Sequence, residues 1–146
     1  MAFHNQIGTI GEDIAVRTMQ SKHYRIVEQN WRLGHLEIDI IAENKKEIVF
    51  VEVKTRTSTF GGKSPEEAVD LIKRKRMTAA ANAYVKYHRI EKDIRFDVIG
   101  ILLDPNTLDV KELTHLENAF FPPLKTISSH SFNGAWHWHH RRKTIG

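Results

Sequence analysis

Residues 48–56, IVFVEVKTR, place two charged side chains inside a run of strand-forming apolar residues. Successive side chains of a β-strand point to opposite faces, so Glu52 and Lys54 share one face of the predicted strand. The three valines of the segment form the other face, which predicts a buried side. The face of Glu52 begins with Ile48 and Phe50 and becomes polar towards its C-terminal end, where α/β sheets often place their ligands.

Patterns of the same kind along the chain predict an α/β fold. The predicted elements are a helix over 4–21 and strands over 24–33, 35–43, 46–56, 93–104 and 108–116. A long helix is predicted to begin at Ser64 as N-cap, with Pro65 and Glu67 completing the cap, and to end near Tyr87 or His88. This order implies a mixed central sheet, antiparallel at its start. It is flanked by the N-terminal helix and by the long helix, which crosses over to a later strand.

The charge distribution separates the chain into two parts, a predicted domain of residues 1–120 and a tail of residues 121–146. The tail holds four of the 22 Lys and Arg residues and none of the 18 Asp and Glu residues, so it carries the whole formal charge of +4. We expect this tail, which is rich in His and Trp, to be flexible. Any nucleic-acid interface of the domain therefore depends on local patches, chiefly KRKR at residues 73–76.

The composition narrows the classes of protein further. The chain has no cysteine, which excludes disulfides and thiolate metal sites and is compatible with a reducing compartment. It has no apolar run of membrane-spanning length, and its first residues lack the pattern of a signal peptide. We therefore expect a cytoplasmic protein with no membrane partner.

The strand before the opening segment also carries acids on one face, Glu37 and Asp39. If the two strands pair as a hairpin, these acids lie on the same face as Glu52 and Lys54. Three carboxylates on a partly apolar face repel one another and lose hydration unless a cation or hydrogen-bond donors compensate them. Carboxylate oxygens and waters suit Mg²⁺ or Mn²⁺. An ordinary cross-strand ion-pair network on a solvated face would explain the same pattern.

Helical periodicity turns Lys73 and Arg76 towards the sheet and Arg74 and Lys75 away from it. The two inward cations fall within a predicted apolar stripe of Val69, Ile72, Ala80, Ala83, Tyr84 and Tyr87. Such side chains commonly reach out to water, but beside a carboxylate-lined sheet they would pair with the acids or hold a phosphate. Glu12 lies at the edge of the apolar face of the first helix, where an exposed glutamate is the ordinary interpretation.

Five motifs occur in a specific order. They are GEDIA from residue 11, NWRLGHLEIDIIA from 30, VFVEVKTR from 49, SPEEAVDLIKRKRMTAAANAYV from 64 and RFDVIG from 95. In this order they resemble the YraN family, whose members are similar to Holliday-junction resolvases and other nucleases with a PD-(D/E)XK core. The resemblance covers residues 5–120.

The resemblance implies a restriction-endonuclease-like core and assigns roles to particular residues. It places Asp39, Glu52 and Lys54 at the acid, acid and lysine positions of the nuclease motif. Glu12 matches the acid carried by the first helix, and Lys73 matches the basic position on the crossover helix. Asp39, Glu52 and Glu12 are then the expected ligands of Mg²⁺ or Mn²⁺.

The implied function is metal-dependent hydrolysis of phosphodiester bonds, with branched DNA in repair or recombination as the expected substrate. Lys73, Arg76 and Arg56 are the expected nucleic-acid contacts, and a homodimer would suit a symmetric junction. A nucleic-acid-binding protein that keeps the fold without turnover is the alternative. A structural interaction protein is a third hypothesis, and it predicts no salt-dependent affinity for nucleic acid.

Overall fold

The computed structural model describes residues 2–58 and 69–120, which form a five-stranded mixed sheet with one helix packed on each face. The elements are α1 (Ala2–Ser21), β1 (Arg25–Leu33), β2 (Leu36–Glu43), β3 (Glu47–Arg56), α2 (Leu71–His88), β4 (Asp93–Leu103) and β5 (Val110–Leu116). This order confirms the predicted α/β class and the predicted succession of elements. In the part of the chain that is described, neither helix is long and apolar enough to cross a membrane.

The strands lie in the sheet in their chain order, from β1 at one edge to β5 at the other. The pairs β1–β2, β2–β3 and β4–β5 are antiparallel, whereas β3 and β4 are parallel. Parallel neighbours need a crossover connection, and α2 lies in that connection. The antiparallel start of the sheet and the crossover helix are therefore both confirmed.

Asn44 fixes the tight turn between β2 and β3. Its side-chain Oδ1 accepts the backbone N–H groups of Lys46 and Glu47, both at 2.9 Å, and its own N–H donates to the carbonyl of Glu47 at 3.0 Å. Asparagine favours turns because its short amide can bond to nearby backbone groups. The register set by this turn ends at the pair Ile40–Val51, and Asp39 and Glu52 lie one position beyond that pair on their own strands.

Two apolar layers cover the sheet, which explains why β3 is apolar on both faces. One layer joins α1 to alternate residues of the strands, among them Ala15, Met19, Ile40, Val49, Val51, Ile99 and Ile101. The other joins α2 to the opposite face, among them Ile41, Ile48, Phe50, Met77, Ala80, Tyr84, Phe96 and Val98. Burying each large apolar side chain contributes roughly 1.5–3 kcal/mol, so these layers supply the main stabilisation.

The helix α2 begins later than predicted. Asp70 has extended backbone angles, and its side chain accepts the N–H of Lys73 at 2.8 Å, so Asp70 is the N-cap and Leu71 is the first helical residue. A continuous helix from Ser64 is therefore wrong, because the non-helical Asp70 separates that position from α2. The proposed capping box at Ser64 itself lies outside the described residues, as does the tail of residues 121–146. The predicted end of the helix at His88 is confirmed.

The face that α2 buries differs in part from the predicted stripe. Ile72 and Tyr87, two members of the predicted stripe, are 63% and 83% exposed. The buried residues of α2 are Met77, Thr78, Ala80, Ala81, Tyr84 and Val85, so Ala80 and Tyr84 of the predicted stripe are confirmed as buried. Arg74 does not point away as predicted, because its Nε donates to the carbonyl of Val69 at 3.0 Å and its guanidinium lies over the ring of Phe120. Lys75 is exposed, as expected, but Arg76 is exposed as well, so the prediction that it faces the sheet is wrong.

Gly11 allows α1 to pack closely against β3. A Cβ atom at this position would lie 1.8 Å from Oγ1 of Thr55, a distance that real atoms do not reach. Gly8, one turn earlier in the same helix, has no atom within 4 Å of the equivalent position. The close approach at Gly11 brings its neighbour Glu12 to the C-terminal end of β3, beside the predicted site.

Candidate metal centre and nucleic-acid interface

Asp39 and Glu52 form a carboxylate pair between β2 and β3. Glu52 is only 5% exposed, and burial, together with the charge of Asp39, raises the pKa of Glu52 to about 8. Burial also raises the pKa of Asp39, although the N–H of Val53, which donates to its Oδ2 at 2.8 Å, acts in the opposite direction. Ionising both acids without a cation is therefore unfavourable, as expected for neighbouring carboxylates in a poorly hydrated place.

Two lysines flank this carboxylate pair. Nζ of Lys54 lies 3.8 Å from Oε2 of Glu52, and Nζ of Lys73, from α2, lies 3.6 Å from Oε1. Both distances exceed those of direct hydrogen bonds. Oε1 of Glu52 is buried and accepts no hydrogen bond from the residues that the structure describes. The negative charge of Glu52 is thus attracted by both lysines without being fully satisfied by either.

The carboxylate pair fits a hard divalent cation better than zinc. Mg²⁺ is commonly bound through one or two carboxylates while several waters stay on the ion, and Oε1 of Glu52 is a buried acceptor in need of a positive partner. Within residues 2–58 and 69–120, no three His, Cys, Asp or Glu side chains converge on one point as a metal cage. Asp39 and Glu52 are therefore the two residues whose oxygens would hold Mg²⁺ or Mn²⁺.

Glu12 lies near the carboxylate pair but is directed elsewhere. Its Oε1 accepts a hydrogen bond from Nδ2 of Asn30 at 2.9 Å. Burial raises the pKa of Glu12, the hydrogen bond from Asn30 opposes this, and the charge of Asp39 adds to the rise. Asn30 is not among the predicted site residues, although an asparagine inside a predicted strand is a usable signal. Asn30 has a left-handed φ of 52°, which asparagine tolerates better than most residues.

The predicted nucleic-acid contacts separate into two groups. Lys73 and the exposed Arg76 border one concavity of about 250 Å³ between α2 and the β1–β2 turn. We call it the hairpin pocket, and it is lined by Arg32, Gly34, His35, Leu36, Glu37, Lys73 and Arg76. Arg56 is not among these lining residues. It is exposed at the end of β3, and its Nη1 donates to the carbonyl of Thr55 at 3.0 Å.

A second charged cluster, missed from the sequence, lies at the opposite end of β3. Arg95 donates to both oxygens of Asp97, at 2.8 and 2.7 Å, and to Oε2 of Glu47 at 2.7 Å. Nε2 of His115 lies 2.7 Å from Oδ2 of Asp97, which is completely buried. Burial alone would raise the pKa of Asp97, but hydrogen bonds and charges from His115 and Arg95 hold it below its ordinary value. The sequence signal for this cluster is the pair of opposite charges, Arg95 and Asp97, within the otherwise apolar stretch RFDVIG.

The fold and the site define a mixed α/β protein whose five-stranded sheet carries a carboxylate pair, the buried Glu52 and the half-buried Asp39, with two flanking lysines. The chain belongs to the uncharacterised protein family UPF0102, whose family model matches residues 11–101. This is the family that the YraN motifs indicated. The matched range includes Glu12, the carboxylate pair, both lysines and every residue of the hairpin pocket.

Relatives from several bacteria extend this match over most of the chain. A UPF0102 protein from Bacteroides thetaiotaomicron is 44% identical over 124 residues, which cover 85% of this chain and 99% of the relative. One from Porphyromonas gingivalis is 43% identical over 82% of this chain and 87% of its own length. Another, from Flavobacterium psychrophilum, is 40% identical over 83% of this chain and 98% of its own length.

Proposed function

We propose that the protein is a metal-dependent endonuclease that hydrolyses phosphodiester bonds, with branched DNA as its substrate class. The observation that supports this proposal best is the carboxylate pair, with Glu52 buried and Lys54 beside it. Two like charges in a poorly hydrated place are unfavourable for the fold alone. They are useful where a divalent cation and a phosphate have to be brought together.

Each side chain has a role in this proposal. Asp39 and Glu52 would hold the ion, which when bound polarises the phosphate and lowers the pKa of a water molecule. Lys54 would neutralise negative charge that develops on the phosphate during hydrolysis. Lys73 would bind the nucleic-acid backbone, where contacts give position and affinity without reading the base sequence. Glu12, which is held by Asn30, would orient water beside the carboxylate pair.

The topology also supports a restriction-endonuclease-like core as part of the proposal. An N-terminal helix precedes an antiparallel hairpin that carries both acids, and a crossover helix then leads to a parallel strand. The same proposal includes a homodimer that acts on a symmetric junction. It also includes a location in the cytoplasm, where such DNA is processed in bacteria.

A nucleic-acid-binding protein without turnover is the second candidate function. The contacts that favour it are those of Glu52, which already has a lysine near each of its carboxylate oxygens. An internally compensated acid needs a cation less than an isolated one does. In this alternative the hairpin pocket would still bind nucleic acid, but the carboxylate pair would serve only the fold.

Incubation of the full chain with labelled four-way junctions, flaps, single strands and duplexes would separate the two candidates. Each substrate is tested with Mg²⁺, with Mn²⁺ and with EDTA. The endonuclease proposal expects cleavage of at least one substrate with metal, and none in EDTA or with the Asp39→Asn variant. Binding without cleavage under all conditions would favour the second candidate.

A further inference from the structure

The hairpin pocket is positioned next to the carboxylate pair through Lys73. This side chain lines the pocket, and its Nζ lies 3.6 Å from Oε1 of Glu52. One side chain therefore connects the two places. A nucleic-acid strand with one phosphate at the carboxylate pair would pass the hairpin pocket if it continued towards the β1–β2 turn.

The local sequence of the β1–β2 turn shapes one wall of the pocket. Only Gly34 and His35 separate the two strands, and Gly34 has a left-handed φ of 60°, which glycine adopts without a steric penalty. The tight turn places Arg32 and Glu37 opposite each other, where Nη2 of Arg32 lies 2.8 Å from Oε2 of Glu37. This ion pair places the guanidinium group beside Glu37 at the rim of the pocket.

The pocket carries more positive than negative charge. Arg32, Lys73 and Arg76 contribute three permanent cations, and Glu37 contributes one carboxylate. Arg76 is exposed and forms no ion pair with any residue in the described ranges. Arg32 has five N–H donors, and its contact with Glu37 leaves several of them for another acceptor. Arginine is well suited to phosphate because its planar fork matches two phosphate oxygens.

We propose that the hairpin pocket binds a phosphate group of a nucleic-acid strand, beside the phosphate held at the carboxylate pair. The inference deepens the proposed function and rests on it for the second phosphate, whereas binding in the pocket needs no metal. It narrows the substrate to strands that continue past the cleavage position towards the β1–β2 turn. Because the contacts are to phosphate, the pocket favours a continuous strand and does not distinguish its base sequence.

The test is the affinity of the full chain for a fluorescein-labelled single-stranded oligonucleotide in EDTA, at two salt concentrations. Arg32→Met and Arg76→Met each remove a pocket cation and keep an apolar stem, and Lys75→Met is the matched control on the exposed side of α2. We expect each pocket variant to weaken binding about threefold to tenfold and to lower the salt slope by about 0.7, the value for one lost contact to a single strand. Lys75→Met should change affinity by less than about twofold.

A second measurement identifies the occupant. The backbone amide resonances of Gly34 and His35 are followed while either the oligonucleotide or inorganic phosphate is added in EDTA. We expect the oligonucleotide to shift them at concentrations at which inorganic phosphate does not, and Arg32→Met to need about threefold to tenfold more oligonucleotide for the same shifts. Equal shifts with inorganic phosphate would make the pocket a site for a free anion and would overturn the inference.

Further outcomes distinguish this inference from the proposed function. If Lys75→Met weakens binding as much as Arg32→Met and Arg76→Met, the helix contributes only diffuse charge and the inference fails, whether or not metal-dependent cleavage occurs. If the pocket variants lose binding but no substrate is cleaved with Mg²⁺ or Mn²⁺, the pocket stands and the endonuclease proposal fails. Melting temperatures of the three variants verify that all remain folded.

Discussion

Lys73 on α2 reaches across to Glu52 on β3, with Nζ 3.6 Å from a carboxylate oxygen that accepts no hydrogen bond from the described residues. This contact links the crossover helix to the carboxylate pair. Lys73 is therefore both a structural counter-charge for Glu52 and a lining residue of the hairpin pocket. The two roles can be separated by measuring stability and binding on the same variants.

Lys73→Met should lower the free energy of unfolding by about 1 kcal/mol in EDTA, because the nearest cation to Oε1 of Glu52 is removed. It should also weaken binding of a DNA duplex. Lys75→Met, on the exposed side of the same helix, should change neither quantity appreciably. Urea unfolding and fluorescence anisotropy provide the two measurements. Equal stability of the two variants would show that Lys73 contributes nothing to the compensation of Glu52.

Asp39→Asn and Glu52→Gln should each abolish metal-dependent cleavage while leaving the fold intact, since each removes a ligand charge and keeps the shape. In EDTA, Glu52→Gln should raise the free energy of unfolding by about 1–2 kcal/mol, because it replaces an acid whose ionised form is disfavoured by burial and by the charge of Asp39. Asp13→Asn, an exposed carboxylate of α1, is the matched control for both measurements. Cleavage at the parent rate by either site variant would remove the carboxylate pair from the proposed mechanism.

Asp97→Asn should lower the free energy of unfolding at pH 7 by about 3 kcal/mol, because Asp97 is fully buried and holds Arg95 and His115. The pKa of Asp97 is lowered in the fold, so its stabilisation is present above its ordinary pKa of 3.8 and is lost as the pH falls below it. The parent and the variant should therefore converge below about pH 4. Urea unfolding between pH 7 and pH 3 measures this difference. A constant difference across that range would mean that the carboxylate charge is not what stabilises the cluster.

Gly11→Ala should destabilise the protein by about 1–3 kcal/mol, because the new methyl group would collide with Thr55 and push α1 away from β3. Gly8→Ala is the control in the same helix, where the added methyl group meets no atom within 4 Å. It should stabilise the protein by up to about 1 kcal/mol through the higher helix propensity of alanine. Thermal melting of both variants tests whether the two stability changes have opposite signs. A stabilising Gly11→Ala would show that α1 can move away from β3 without loss.

Deletion of residues 122–146 should weaken nucleic-acid binding and flatten its salt dependence, because it removes four cations and no acid. Each lost contact to duplex phosphate lowers the salt slope by about 0.9. Phe120, which is buried and stacks on Phe96, stays in the shortened chain, so we expect no large change in melting temperature. The measurements are anisotropy titrations at several salt concentrations and thermal melting. Cooperative melting at a much lower temperature would place the tail within the folded unit.

The order of elements and the β2–β3 hairpin could be predicted because their signals are local. Alternation over a few residues gives the faces of β3, and Asn44 marks the turn that sets the register. Once that register is fixed, Asp39 and Glu52 have to lie together. The neighbouring position of the two acids therefore followed from the sequence, although their metal binding stays a prediction.

The rotation of α2 could not be predicted in the same way. The predicted apolar stripe of α2 includes Val69 and Ile72. In the structure Val69 precedes the helix, and Ile72 lies exposed in its first turn. The actual buried face is set by packing of Met77 and Tyr84 against residues that are distant in the chain. Arg74 was misassigned for the same reason, because its partner ring belongs to Phe120, beyond the last strand.

The connection between β3 and β4 carries Lys73. It therefore determines when, during folding, the charge of this lysine reaches the carboxylate pair. Asp39 and Glu52 belong to a hairpin with a short loop, and such local contacts form early because closing a short loop loses little chain entropy. Lys73 lies within residues 57–92, which join the parallel strands, so it reaches Glu52 only when α2 docks. Within the hairpin Glu52 has Lys54 of its own strand nearby, and docking of the crossover helix adds Lys73 as a second counter-charge next to Oε1.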